Sequence, residues 1–193
     1  MKAYVTYLEA AGARVVPLIL GEPEEVTMEK LSKLNGVFLP GGGGSYTDFG
    51  RVIMERIVQY NDDGVYYPVF GVCLGYENMM KYAADAGVNI TSSYILHETS
   101  LPLEFVVDTA TSSMWADLGA GYHNFETEAM TYNSHGNGID PEKFTTDLGL
   151  AEMYRLTSIS YLPEDGRPFT ATVEAWDYPF FGTQFHPEKS MAM

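Results

Sequence analysis

Apolar residues fall into two regimes along the chain. In the first half, short uninterrupted runs alternate with stretches of helical spacing. Residues Ala3 to Ala11 predict a helix, stopped by Gly12. Arg14 to Leu18 reads as a strand with Pro17 near its end, and Gly21 and Pro23 mark a turn. Thr27 to Leu34 predicts a short helix with Leu31 and Leu34 inward, and Gly36 to Leu39 a buried strand that runs into Pro40 and four glycines. Thr47 or Asp48 caps the next helix, whose apolar face carries Phe49, Val52, Ile53, Ile57 and Tyr60 and which Asn61 to Gly64 ends. A second apolar run, from Pro68, reaches Gly71-Val72-Cys73-Leu74-Gly75, and a helical pattern continues to about Ala86.

Strand runs that are apolar throughout, alternating with helices, are the pattern of a parallel sheet covered on both faces. The second half is richer in β. Leu103 to Val107, Ala129 to Tyr132, Met153 to Leu162, Thr170 to Trp176 and Phe180 to Phe185 predict strands, with a short helix near Ser112 to Asp117. Asn133 to Gly138 reads as a polar, glycine-rich loop. No repeat, low-complexity tract or linker divides the chain, so one α/β domain over residues 1–193 is expected.

Composition narrows the function. A length of 193 residues and an apolar fraction of 46% suit a packed core. No apolar run approaches the roughly 18 residues of a membrane-spanning helix, and the start goes directly into an amphipathic pattern without a signal peptide. A net charge of −15 argues against nucleic acid and repels acidic ligands at long range, leaving such ligands to local cations or helix ends. Asn89-Ile90-Thr91 fits the glycosylation sequon, a pattern frequent by chance.

The chemistry concentrates at strand ends. Gly71-Val72-Cys73-Leu74-Gly75 has the logic of a nucleophile elbow: small residues let a strand turn sharply into a helix and expose a reactive side chain. The helix that begins there aims free N–H groups at the sulfur, where they favour negative charge. Cys73 is the single cysteine, which rules out an internal disulfide; the competing reading is a buried structural thiol. His186 follows an apolar strand and precedes Glu188 by two residues, a spacing that sets a carboxylate against an imidazole nitrogen. Cys73, His186 and Glu188 thus supply a nucleophile, a base and an orienter. The glycine loop lacks the closing Lys of a phosphate-binding loop, and reads either as a flexible turn or as an oxyanion hole shared with the Leu74 N–H. His135, a loop histidine on this reading, is incidental by itself, as are His97 and His123; the four histidines lack zinc-ligand spacing.

Gly71-Val72-Cys73-Leu74-Gly75 with His186-Pro187-Glu188 resembles the class I glutamine amidotransferase-like superfamily. Tyr7 to Pro17, Leu39 to Gly42, Cys73 to Glu77 and Gln184 to Lys189 resemble one branch of it, the γ-glutamyl hydrolases. The resemblance implies a three-layer, doubly wound, mostly parallel flavodoxin-like sheet. It implies hydrolysis of γ-glutamyl bonds in folate polyglutamates through a thioester on Cys73, with His186 as base and Glu188 as its orienter. Gly42 (or Gly43) and Leu74 are the oxyanion donors in this comparison, and His135 and Glu77 bind substrate. Glu77 stands where amidotransferases usually carry Gln. The rival readings are another γ-glutamyl substrate, a glutaminase, or a non-catalytic binding protein. No metal or cofactor is implied; a small-molecule substrate, a homodimer and a lysosomal, vacuolar or secreted location are. Such domains open with a strand before the first helix and close with a helix after His-Pro-Glu, so truncation at both ends is expected here.

Overall fold

A computed structural model describes residues 2–189. The first helix, α1 (Lys2–Ala10), leads into a stretch without regular secondary structure and then α2 (Glu24–Leu31). The short strand β1 (Val37–Leu39) precedes α3 (Thr47–Asp62), and β2 (Val69–Val72) precedes α4 (Leu74–Ala83). After a 3-10 turn come β3 (Ser92–Leu101) and β4 (Glu104–Phe105), two further 3-10 turns, α5 (Tyr122–Thr127) and β5 (Thr131–Gly138). The chain continues through α6 (Pro141–Thr146), α7 (Leu148–Met153), β6 (Tyr154–Tyr161), β7 (Pro168–Ala175) and β8 (Phe180–Thr183).

Six strands form one sheet in the order β1-β2-β8-β7-β6-β4. β1, β2 and β8 run parallel, and β7, β6 and β4 add antiparallel pairings. The sheet is therefore mixed, and the parallel character expected of it is confined to the three strands around Cys73. There the period of two sorts side chains to opposite faces. Leu39 and Val69 join a large core with Ile53, Met54, Ile57 and Met79 of α3 and α4. Phe38, Phe70 and Val72 face the other way and pack with Tyr4 of α1. Helices thus cover both faces, and the three-layer expectation holds.

β3 and β5 pair separately as an antiparallel ribbon. Tyr94, Leu96 and Leu101 of the ribbon pack on Leu162 and Phe169, which fastens it against the antiparallel half of the main sheet. Two bulges interrupt the pairing: Tyr94 and Ile95 face Gly136, and His97 and Glu98 face Ser134.

Several local expectations change. Arg14 to Leu18 has no regular secondary structure and pairs with no strand among the described residues, and Pro17 has no N–H to offer one. Asn133 to Gly138 is not a loop: it is most of β5, paired along β3, and burial alternates along the strand as far as His135 although the buried side chains Asn133 and His135 are polar. The helix expected near Ser112 to Asp117 is replaced by the 3-10 turns Thr109–Thr111 and Ala116–Gly121. The strand expected over Leu103 to Val107 is only Glu104–Phe105. Asn89 is exposed on the 3-10 turn Gly87–Ile90. Among the described residues no strand precedes β1, and no helix is long and apolar enough to cross a membrane.

Candidate active site

β2 ends at Gly71-Val72, and Cys73 turns the chain into α4 with φ 52° and ψ −112°. An L-residue rarely adopts that geometry, and the surroundings fix it from both sides. The Cys73 N–H donates to the Thr183 carbonyl of β8 at 2.8 Å, and the Cys73 carbonyl accepts the Glu77 N–H at 2.9 Å. The turn also requires Gly75, where any Cβ would collide with the Leu39 carbonyl. Cys73 is buried, with Sγ 4.0 Å from the Ser134 carbonyl of the ribbon. Leu74 opens α4, so its N–H lacks an intrahelical partner and points toward the same space.

His186 lies just beyond β8, the strand beside β2. Its N–H donates to the Tyr132 carbonyl of β5 at 2.8 Å, so the base position is pinned to the ribbon as well as to the sheet. Its Nδ1 lies 2.8 Å from Glu188 Oε1, and both side chains are buried. Burial opposes protonation of the imidazole. The hydrogen bonds and negative charge of Cys73 and Glu188 outweigh it and push the pKa up to about 9. At neutral pH the site therefore holds an imidazolium between the sulfur and the carboxylate.

Gly41 closes the other side of the nucleophile. A Cβ there would sit 2.5 Å from the Tyr4 hydroxyl, 2.9 Å from His186 Cε1 and 3.0 Å from Cys73 Cβ. The first glycine of the run is thus a packing requirement, and the next three line a cleft of about 520 Å³. Cys73, Leu74, Glu77, His135, His186 and Lys189 line it too, together with Glu98, Tyr132, Ser134 and Asn137 of the ribbon. All the residues singled out in the sequence reach this cleft except Glu188, which stands behind His186 as an orienter would.

His135 is buried on β5, with Nδ1 2.9 Å from the Tyr94 carbonyl and Nε2 3.3 Å from Asn133 Oδ1. Desolvation dominates and lowers its pKa to about 4, although the backbone hydrogen bonds work against that shift. It is neutral at pH 7 and has one ring proton to donate, with the Tyr94 carbonyl at one nitrogen and Asn133 Oδ1 at the other. The two histidines of one cleft are thus held in opposite protonation states. Glu77, buried on α4, is paired with Lys81 at 3.2 Å. His97 is exposed on the bulge of β3, and His123 pairs with Glu126 on the surface of α5. No cluster of potential metal ligands occurs among the described residues.

Sequence reasoning missed Tyr4, Glu98 and Lys189. Tyr4 lies on a helix face indistinguishable from a packing face. Glu98 enters the cleft only because a bulge, with φ 47° at Glu98, reorients it. Lys189 carried a signal, standing directly beside the His186-Pro187-Glu188 motif.

The family model for "Glutamine amidotransferase class-I" matches residues 1–193. The chain belongs to this family. It is 31% identical to gamma-glutamyl hydrolase 1 of Arabidopsis thaliana over 199 aligned residues, covering 97% of this chain and 55% of that protein. Against gamma-glutamyl hydrolase of Rattus norvegicus the identity is 30%, covering 97% and 60%. The human gamma-glutamyl hydrolase gives the same three figures. The chain thus spans somewhat more than half the length of these relatives. Among solved structures, the glutaminase domain of the Trypanosoma brucei CTPS with bound acivicin superposes with a TM-score of 0.68 at 16% identity, covering 97% of this chain and 80% of that one. A GMP synthase protein from Thermoplasma acidophilum gives 0.56 at 16% identity, covering 96% and 77%. Both likenesses extend to the amidotransferase fold.

Proposed function

We propose that this amidotransferase-family domain is a hydrolase of γ-glutamyl bonds, with folate polyglutamates as its substrate. The observation that carries the reading is Cys73 on a positive-φ elbow at the wall of a cleft, beside a protonated His186 whose far nitrogen is held by Glu188. The relatives' names supply the bond type.

With the Cys73 proton already resident on His186, Sγ attacks the γ-carbonyl carbon. The developing oxyanion is met by the backbone N–H of Leu74 and that of Gly42, or of Gly43 one residue on. His186 returns its proton to the leaving amine as the C–N bond breaks, leaving a γ-glutamyl thioester on Cys73. A water molecule then gives a proton to His186 and its oxygen to the acyl carbon, and the thiol is restored. Glu188 stabilises the imidazolium that forms in each step and fixes Nδ1 as the protonated nitrogen. Neutral His135 and Glu77, the latter with its charge balanced by Lys81, contribute to holding the γ-glutamyl unit. Lys189 is placed to meet a substrate carboxylate in an otherwise acidic chain. A homodimer and a lysosomal, vacuolar or secreted location belong to the same reading.

The test is product analysis by mass spectrometry. A folate pentaglutamate incubated with the domain yields shortened folates and free glutamate or glutamyl peptides, while Cys73→Ala yields none: a loss of about 10⁴-fold or more. A folded parent that leaves the pentaglutamate intact but hydrolyses another γ-glutamyl amide replaces the substrate. One that cleaves neither overturns the hydrolase reading.

A further inference from the structure

The proposed oxyanion hole needs two separate segments to aim N–H groups at one point: α4, through Leu74, and the glycine loop that follows β1. The elbow fixes the start of α4. The loop has no such support of its own. Among the described residues, no hydrogen bond between main-chain groups ends on residues 41–45. Gly42 and Gly44 take positive φ values of 154° and 140°, and Gly42 to Gly44 are exposed along the cleft. Consecutive glycines leave a chain its widest choice of conformations, so the loop has to be held from outside.

The group that holds it is the phenol of Tyr46. Its hydroxyl donates to the Pro40 carbonyl at 2.6 Å and closes the loop across its two ends. In a trans peptide the C=O and the N–H point opposite ways, so a bond to the Pro40 oxygen also sets the direction of the Gly41 N–H, where the loop leaves β1. Tyr46 is itself firmly based. It caps α3, its carbonyl accepts the Gly50 N–H at 2.7 Å, and its ring lies over Gly50, where an added Cβ would meet Cδ2 at 3.6 Å. The next residue, Thr47, donates to Asn78 Oδ1 of α4 at 3.0 Å. Asn78 stands one helical turn beyond Leu74, so the same corner of α3 is tied to both segments that supply the donors. Burial pushes the phenol's pKa well above its ordinary value, and Tyr46 keeps its proton to donate.

We infer that Tyr46 is a positioning residue of this site: its hydroxyl braces the glycine loop at the Pro40 carbonyl and holds the loop's N–H groups in register with that of Leu74. The inference rests on the oxyanion hole proposed above, but not on which γ-glutamyl compound is the substrate. Tyr46 does not line the cleft; it acts through Pro40.

Tyr46→Phe removes the hydroxyl and keeps the ring over Gly50. The expected result is a fall of about tenfold in kcat with KM changed less than twofold, short of the loss of about 10²–10³ that follows when a donor is deleted outright. An N-acyl glutamate γ-aldehyde adds to Cys73 as a thiohemiacetal and places its oxygen in the same hole, so its affinity falls by about the factor lost in kcat/KM. Alkylation of Cys73 by iodoacetamide displaces iodide and forms no oxyanion. Its rate and pH midpoint therefore stay parental, whereas a general loosening of the site would slow it in step with turnover. Tyr60→Phe, farther along α3, behaves as the parent. If Tyr46→Phe does not fold, Tyr46→Met must show the same split. A folded variant at Tyr46 with parental kcat and aldehyde affinity overturns the inference, and so does one whose alkylation slows together with turnover. A parent that binds the aldehyde but cleaves no γ-glutamyl amide, with weaker binding in Tyr46→Phe, upholds the brace and removes the proposed reaction. A folded parent that neither binds the aldehyde nor cleaves removes the hole and the brace with it.

Discussion

On one side of the cleft stand β1, β2 and β8, joined in parallel and packed until two glycines have no room for a methyl group: Gly41 against Tyr4, His186 and Cys73, and Gly75 against the Leu39 carbonyl. On the other side stands the β3–β5 ribbon, bulged twice, with Ile95 and His97 turned out to solvent. Both sides contain a residue with positive φ that is not glycine, Cys73 and Glu98. The strain at Cys73 is locked by hydrogen bonds to β8 and α4, whereas that at Glu98 sits at an exposed bulge. The difference teaches where precision is needed. Under the proposed function, the reacting atoms lie on the side that cannot relax, and the groups offered to the rest of a ligand lie on the side that can.

If that contrast is right, an added methyl on the tight side is the most damaging small change. Gly41→Ala should lower kcat by about 10²-fold or more by displacing Cys73 and His186, while KM moves little. Steady-state kinetics on a γ-glutamyl substrate checks it. A variant with near-parental kcat would mean that the tight side yields after all.

The ribbon should betray itself in the acid limb of stability. His135 is neutral in the folded protein down to about pH 4 but takes up a proton near 6.5 when unfolded. Between those values the unfolded chain binds more protons, so the stability due to neutral His135 is complete above pH 6.5 and is lost as pH falls through 4. Denaturant unfolding of His135→Asn between pH 7 and pH 4 should show a decline smaller than the parent's by about 2–3 kcal/mol. Equal declines would sink the assignment of a neutral, buried imidazole. His186 works in the opposite sense: its contribution is complete below pH 6.5 and is lost as pH rises through about 9.

The smallest effect belongs to the bulge. Glu98→Gly removes the positive-φ penalty at an exposed position, and should raise stability by about 0.5–1 kcal/mol in thermal or denaturant melts. A loss of stability there would show that the ribbon, too, is tightly specified.

The tight side was legible in the sequence for the same reason it is tight. Close packing at Gly71, Cys73 and Gly75 admits few residue types, so the elbow is written in glycine, and the His186-Pro187-Glu188 turn is written in local spacing. The ribbon was not. Asn133 to Gly138 reads as a loop because polarity and glycine outvote alternation when a strand is buried on one face only. β3 lost its period of two at each bulge, and no strand was expected there. Asp140-Pro141 and Asp147, whose side chains accept N–H groups in the first turns of α6 and α7, carried a helix-start signal in a stretch for which no element was expected. Arg14 to Leu18 shows the converse: β-forming residues make no strand without a neighbour. The place of Tyr4 beside His186 was illegible because a tyrosine on an apolar helix face has no spacing that announces a distant partner.

The strand order carries one more consequence, for how the domain comes into being. Among the described residues β8 is the last strand, yet it lies between β2 and β7 near the middle of the sheet. It supplies the carbonyl that fixes the elbow and leads directly into His186. A nascent chain that has emerged through β7 therefore owns its thiol and its glycine loop but has neither a braced elbow nor a base. Closing the sheet is a late, long-range event of the kind that slows folding. The surroundings of the sulfur are thus set by completion of the fold: Cys73 meets His186 only in a molecule whose sheet has already closed around it.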